Sequence, residues 1–249
     1  MSLPEAVAFA AWCFAVALAG GLVGLVLGNV RLPAVLLIAA SPASAGGANI
    51  AISGVAAATA SVSHLRAGRI NWRLFAWMAP PSVVGALFGG YLAGIVPNDA
   101  VLLAIAAVLI YSGIDLIRRR PAPRPADHEL DLRAAVLSGA VIGVLGGFVG
   151  LILGALRMPA LLRLVGEVPS RAVGTNLLVG VLVGIAGLIG HLPSAAPDLG
   201  ILLVGSAASI PGALIGARLT GRLSEEQLVK AIGVVLLIAG TAAGIQALT

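Results

Sequence analysis

Eight apolar runs, each 18 to 24 residues long, follow one another along this chain, at roughly 5–28, 46–63, 73–96, 99–117, 133–156, 172–190, 198–217 and 227–248. A helix needs about 20 apolar residues to cross the hydrocarbon core, where every backbone polar group must be satisfied internally. The runs predict an all-α polytopic membrane protein in contact with the lipid bilayer. Composition points the same way. Only 10% of the residues are charged, against about 25% in soluble domains, and the mean hydropathy is +1.08. So few charges exclude a cytosolic enzyme, a nucleic-acid binder and a disordered chain.

The 33 glycines follow no Gly-X-Y period and suit close helix packing in a membrane. Cys13 is the single cysteine and lies in an apolar run, so there is no disulfide framework, and it reads as a small packing residue. The first run follows Glu5 with no Lys or Arg before it. It is also too long for the core of a signal peptide, so it reads as a retained span.

Two shorter apolar pieces, 33–42 and 159–166, each begin at a proline. They are too short to span and are expected to be half-helices, or the returning arm of a hairpin. Residues 118–133 hold eight of the 25 charges and three prolines. They read as an aqueous linker joining two halves of one membrane domain, 1–117 and 134–249.

The halves are related. Gly20, Gly21, Gly24, Gly28, Arg31 and Pro33 recur 126 residues later as Gly146, Gly147, Gly150, Gly154, Arg157 and Pro159. At an offset of 127, Gly47-Ala48-Asn49 meets Gly174-Thr175-Asn176, His64 meets His191 and Gly113 meets Gly240. Pro80, Gly85, Ala86 and Gly90 match Pro211, Gly216, Ala217 and Gly221 at 131, which suggests matching kinks or hinges at the two prolines. Trp72, Trp77 and Tyr91 read as interface anchors.

Orientation follows from the basic residues. Arg66, Arg69 and Arg73 mark one loop as cytoplasmic, and Arg118–Arg120 do the same for the linker. The loop around Pro97-Asn98-Asp99 has no basic residue and is expected outside. In the second half, the loop at 191–198 carries no Lys or Arg, whereas Arg218, Arg222 and Lys230 bracket the next. Equivalent loops then lie on opposite sides. The repeats are expected to be inverted, each a broken-helix hairpin plus three spans, with both termini outside. That is an architecture of secondary transporters, with the substrate site near the midplane.

Arg31 and Arg157 head the candidate substrate site. Burying arginine in a bilayer is costly. Either both snorkel to an interface as anchors, or both face a shared cavity and bind an anion. In the second case Pro33 and Pro159 would open short helices whose N-termini add unpaired N–H groups. Gly28 and Gly154 lie beside them. Asn49 and Asn176 either cap helices or turn their donors into the site, and Thr175 adds a hydroxyl that Ala48 lacks. Glu167, Asp115, His64 and His191 are candidates for proton coupling. For the carboxylates the competing reading is an interfacial ion pair, and for the histidines an interfacial position. No His/Cys/Asp/Glu cluster has metal spacing, no cofactor motif is present and no catalytic constellation suggests an enzyme.

With GLVLGNVRLPAVL at 24–36 and GGANIAISG at 46–54, then GLILGALRMPALL at 150–162 and AVGTNLLVG at 172–180, the chain resembles the sulfite exporter TauE/SafE family, also called the toluene sulfonate uptake permease family. Gly68-Arg69-Ile70-Asn71-Trp72 is similar to that family's GIDW-like segment. Val26-Leu27-Gly28 and Ile152-Leu153-Gly154 stand where the family usually has three glycines, and the two arginines are outside its pattern. The resemblance implies transport, in the export direction, of small sulfur-containing anions such as sulfite or organosulfonates, for example sulfoacetate, across a bacterial plasma membrane. Alternating access about the central site would carry it. A passive anion channel, a carboxylate carrier and a non-transporting scaffold subunit are the alternatives.

Overall fold

The computed structural model describes residues 1–91, 98–118, 129–149, 151–191 and 198–248, and among them there is no strand. The first half contributes α1 (Leu3–Val23), α2 (Gly28–Leu36), α3 (Pro42–Arg66), α4 (Trp72–Tyr91) and α5 (Asn98–Arg118). The second contributes α6 (Leu132–Val149), α7 (Gly154–Ala160) with a π-helical turn at Leu161–Val165, α8 (Pro169–His191), α9 (Leu199–Thr220) and α10 (Glu225–Leu248).

Eight long segments are expected, and seven described helices are long and apolar enough to cross a membrane. The remaining one, α4, has 20 residues, but Pro80, Pro81 and its polar first turn dilute its hydropathy. The outer surface is apolar, with Leu87, Leu103, Leu137 and Leu203 exposed along the long helices. A soluble domain rarely exposes so continuous an apolar face, and here lipid covers it. Trp72, Trp77 and Tyr91 are exposed too.

Both halves break where the hairpins are expected, but at other residues. Gly24, with φ of +72°, closes α1 in the left-handed region, and the Leu25 amide bonds back to the Gly20 carbonyl at 3.0 Å. Leu151 repeats that bond to Gly146 at 2.9 Å, while Gly150 lies outside the described residues. The short helices then start at Gly28 and Gly154, so Pro33 and Pro159 lie inside them rather than opening them. After each break it is the next helix that opens at a proline, Pro42 in α3 and Pro169 in α8, where the missing N–H has no intrahelical partner anyway.

Helix pairing crosses between the halves. Gly85 meets Ala140 and Val144 of α6, and Gly89 meets Val144 and Phe148. Gly212 meets Phe14 and Leu18 of α1, and Gly216 meets Leu18 and Leu22. The second set is the first shifted by 127 residues in the glycine helix and by 126 in its partner. This corrects the offset of 131: Pro80 and Pro211 sit one helical turn apart in the true register. A Gly-x-x-x-Gly face repeats every four residues, so a one-turn slip preserves its matches.

In both interleaved pairs, α1 with α9 and α4 with α6, the helices run parallel. The equivalent helices themselves meet antiparallel. Gly113 faces Gly233 while Ala106 and Ile110 face Gly240, and Gly174 lies by His64 while Gly184 lies by Gly54.

Candidate functional site

Each broken segment carries one arginine on the fourth residue of its short helix, from which a side chain points back toward the helix N-terminus. Arg31 is 2% exposed and Arg157 fully buried, so neither snorkels to lipid or water. Arg31 Nη1 donates to Ser53 Oγ at 2.9 Å, and Arg157 Nη1 donates to Asn176 Oδ1 at 3.1 Å. Neither Nε has a hydrogen-bond partner. Among the described residues no carboxylate lies within salt-bridge range of either guanidinium. A buried cation with no counter-charge costs several kcal/mol and is seldom retained without a use.

The asparagines do not cap helices. The N-cap of α3 is Ser41, whose hydroxyl accepts the Ser44 amide at 3.2 Å, so Asn49 lies two turns inside the helix. Asn176 is equally far inside α8. Both amides turn to the breaks instead. Asn49 Nδ2 donates to the Gly28 carbonyl at 3.0 Å, and Asn176 Nδ2 donates to the carbonyls of Gly154 at 2.9 Å and Gly24 at 2.7 Å. Gly28 permits this approach, since a Cβ there would sit 3.1 Å from Ser53 Oγ and 3.2 Å from Asn49 Nδ2. Pro159 is buried with all of α7, whereas Pro33 is exposed and does not line the buried cluster.

A narrow cavity lies against Arg31 and Ser53. Its other walls include Val16, Ala17, Gly20 and Gly21 of α1, together with Leu177 of α8. Its volume of about 10 Å³ holds about one water-sized body. A tetrahedral anion needs more room than this cavity offers.

Buried Thr175 and Glu167 form a second cluster with half-buried Asn71. The Asn71 amide donates to Thr175 Oγ1 at 2.9 Å, and Asn71 Nδ2 donates to Glu167 Oε2. Asn71 Oδ1 also caps α4 by accepting the Leu74 amide at 3.0 Å. Thr175 therefore faces the loop before α4 rather than the arginines. Replacing Asn71 by Ala removes both a helix cap and a partner of a buried carboxylate. Thermal unfolding in detergent is expected to show a loss of about 2 kcal/mol.

His64 is fully buried, with Nε2 3.3 Å from the Gly21 carbonyl, which corrects its expected interfacial position. Helix α3 runs past it to Arg66, beyond the apolar run, so His64 packs beneath the end of α1. The His191 side chain lies outside the described residues. Asp115 of α5 forms a salt bridge with Arg163 of the π turn, joining the two halves. No group of three or more His, Cys, Asp or Glu side chains that could hold a metal occurs among the described residues.

Sequence reasoning missed Ser53 and Asn71. Ser53 lies one helical turn after Asn49 and hence on the same face, a signal present in the spacing. Asn71 stands in the Gly-Arg-Ile-Asn-Trp segment, whose local sequence gives no hint that it folds onto α8.

Residues 9–243 match the family model for the sulfite exporter TauE/SafE. The probable membrane transporter protein YdhB of Bacillus subtilis (strain 168) is 26% identical over 184 residues, which is 72% of this chain and 75% of that protein. A probable membrane transporter protein of Xylella fastidiosa (strain 9a5c) is 30% identical over 142 residues, 55% of this chain and 53% of its own length. The probable membrane transporter protein YjnA of Bacillus subtilis (strain 168) is 26% identical over 243 residues, covering 89% of this chain and 94% of that protein. No solved structure matches the chain.

Proposed function

Because the chain belongs to the sulfite exporter TauE/SafE family of membrane transporters, we propose that it is a secondary transporter. It exports small sulfur-containing anions, such as sulfite or sulfoacetate, across a bacterial plasma membrane. The observation that carries this reading is the pair of buried arginines, at equivalent places in two broken segments, with no carboxylate among the described residues to neutralise them. Guanidinium geometry suits an oxyanion, offering several N–H donors in a fixed plane. Lysine would supply only a point charge.

Alternating access fits the narrow cavity, which must open to one side and then the other for a substrate to enter and leave. The antiparallel crossing of α5 with α10 and of α3 with α8 supports an inverted relation between the halves. Such a relation gives the two openings similar structures. The distribution of basic residues among the loops supports an orientation with the linker in the cytoplasm and both termini outside.

The test is binding to the purified full chain by calorimetry, comparing sulfite, sulfoacetate, thiosulfate, sulfate and acetate. Sulfite and sulfoacetate are expected to bind and acetate to bind more weakly. The double replacement Arg31→Gln with Arg157→Gln is expected to abolish binding. Undiminished binding in that variant, or binding of acetate alone, overturns the reading.

A further inference from the structure

The two half-sites match in sequence position but differ in how their donors are engaged. In the second half, Arg157 Nη1 is held by Asn176 Oδ1, and Asn176 turns its amide hydrogens onto two carbonyls. One of these, Gly154, starts the short helix of its own half. The other, Gly24, ends α1 of the opposite half. A single side chain thus joins the two breaks. Their backbones are in contact there, since a Cβ on Gly154 would sit 3.1 Å from the Val26 amide nitrogen.

In the first half, among the described residues, no side chain makes such a bond between the two breaks: Asn29 Nδ2 crosses to the second half, but to the Ala239 carbonyl of α10 at 2.9 Å. Asn49 Nδ2 donates to Gly28 of its own half. Arg31 is bonded to a hydroxyl, Ser53 Oγ, and both residues line the cavity beside α1. The residue 127 positions after Ser53 is Gly180, so the second half has no hydroxyl at that place.

We infer that the half-sites divide the work. Arg31 and Ser53 make the direct contacts to the anion in the cavity beside α1, while Arg157 and Asn176 form a latch holding the two helix breaks together. This rests on the anion-transport reading above and names its specificity-determining contacts. Ser53 accepts from Arg31 at 2.9 Å. Once an oxyanion replaces it as acceptor, the hydroxyl rotates and donates to a second oxygen of the same anion. The free Nε of Arg31 adds a third donor. The ligand class is a small oxyanion with at least two acceptor oxygens. Its remaining substituent lies against Ala17, Gly20 and Gly21.

Calorimetric titration of the purified full chain with sulfite separates the roles. Ser53→Ala is expected to raise Kd about tenfold, the usual effect of losing one hydrogen bond to a charged group. Arg31→Gln is expected to raise it further. Asn176→Ala is expected to change Kd far less, and instead to speed hydrogen exchange of the amides at 24–28 and 151–157. If Asn176→Ala does not fold, Arg157→Lys takes its place, because it keeps the charge and weakens the latch. Ser53→Ala with unchanged Kd, or equal weakening by the Ser53 and Asn176 variants, overturns the division of roles alone. A wild type that binds no oxyanion overturns the transport reading and this inference with it.

Discussion

Gly89→Ala and Gly216→Ala are each expected to lower stability by about 3 kcal/mol or more, enough to depress the melting temperature by about 10 °C. A Cβ on Gly89 would overlap the Val144 carbonyl of α6, and one on Gly216 would overlap the Leu18 carbonyl of α1. The obstacle in each case is backbone, which cannot rotate aside as a side chain can. Relief requires the whole helix pair to separate, losing the close backbone contact that drives association in lipid. Gly54→Ala is the control, because a Cβ there meets nothing within 4 Å, and it should leave stability unchanged or slightly raised. Thermal unfolding in detergent with size-exclusion chromatography makes the comparison. If Gly89→Ala and Gly54→Ala melt alike, the described packing of α4 on α6 is wrong.

The second large effect is all-or-none. Asp99 and Glu226 are the second residues of α5 and α10, 127 positions apart, and both are exposed. A cysteine at Asp99 is expected to react with a membrane-impermeant maleimide in intact cells. One at Glu226 is expected to react only after the membrane is permeabilised. Cys13 gives little background, being fully buried. Glu226 pairs at the surface with Lys230, a contact worth a few tenths of a kcal/mol. Modification of both cysteines from the same face would mean that the halves are not inverted.

Much of this architecture is legible in the sequence, because lipid leaves few ways to satisfy a backbone. The long apolar runs and the paired breaks follow from that restriction, whereas sequence alone leaves the two arginines divided between an interfacial and a buried position. Residues whose signal is only local were harder to place. Pro33 and Pro159 resemble helix openers, yet the left-handed turn at Gly24 lets the short helix begin sooner, at Gly28. The register of α4 against α9 slipped by one turn because glycines spaced by four match equally well either way. Asn49 resembles a cap because Gly46 and Gly47 resemble a helix boundary. The true boundary is Ser41-Pro42, and the asparagine satisfies a carbonyl of α2 instead. Ser53 shares the face of Asn49 at helical spacing, but its partner Arg31, like the partners of Asn71, is distant in sequence, and no local pattern encodes those pairings.

The interleaving of the halves also sets a timetable for assembly. Thr220 of α9 donates to the Leu22 carbonyl of α1 at 2.7 Å across 198 residues of chain. At typical synthesis rates α1 waits about 10–40 s in the membrane before that partner exists. Over that interval the face of α1 around Phe14, Leu18 and Gly21 must be covered by lipid or by an insertion factor. By contrast, α4 meets α6 after only about 3–11 s. One of the two equivalent interfaces therefore closes early and the other among the last, so a nascent chain halted before α9 leaves the ribosome's partner membrane holding an exposed helix that quality-control proteases can recognise.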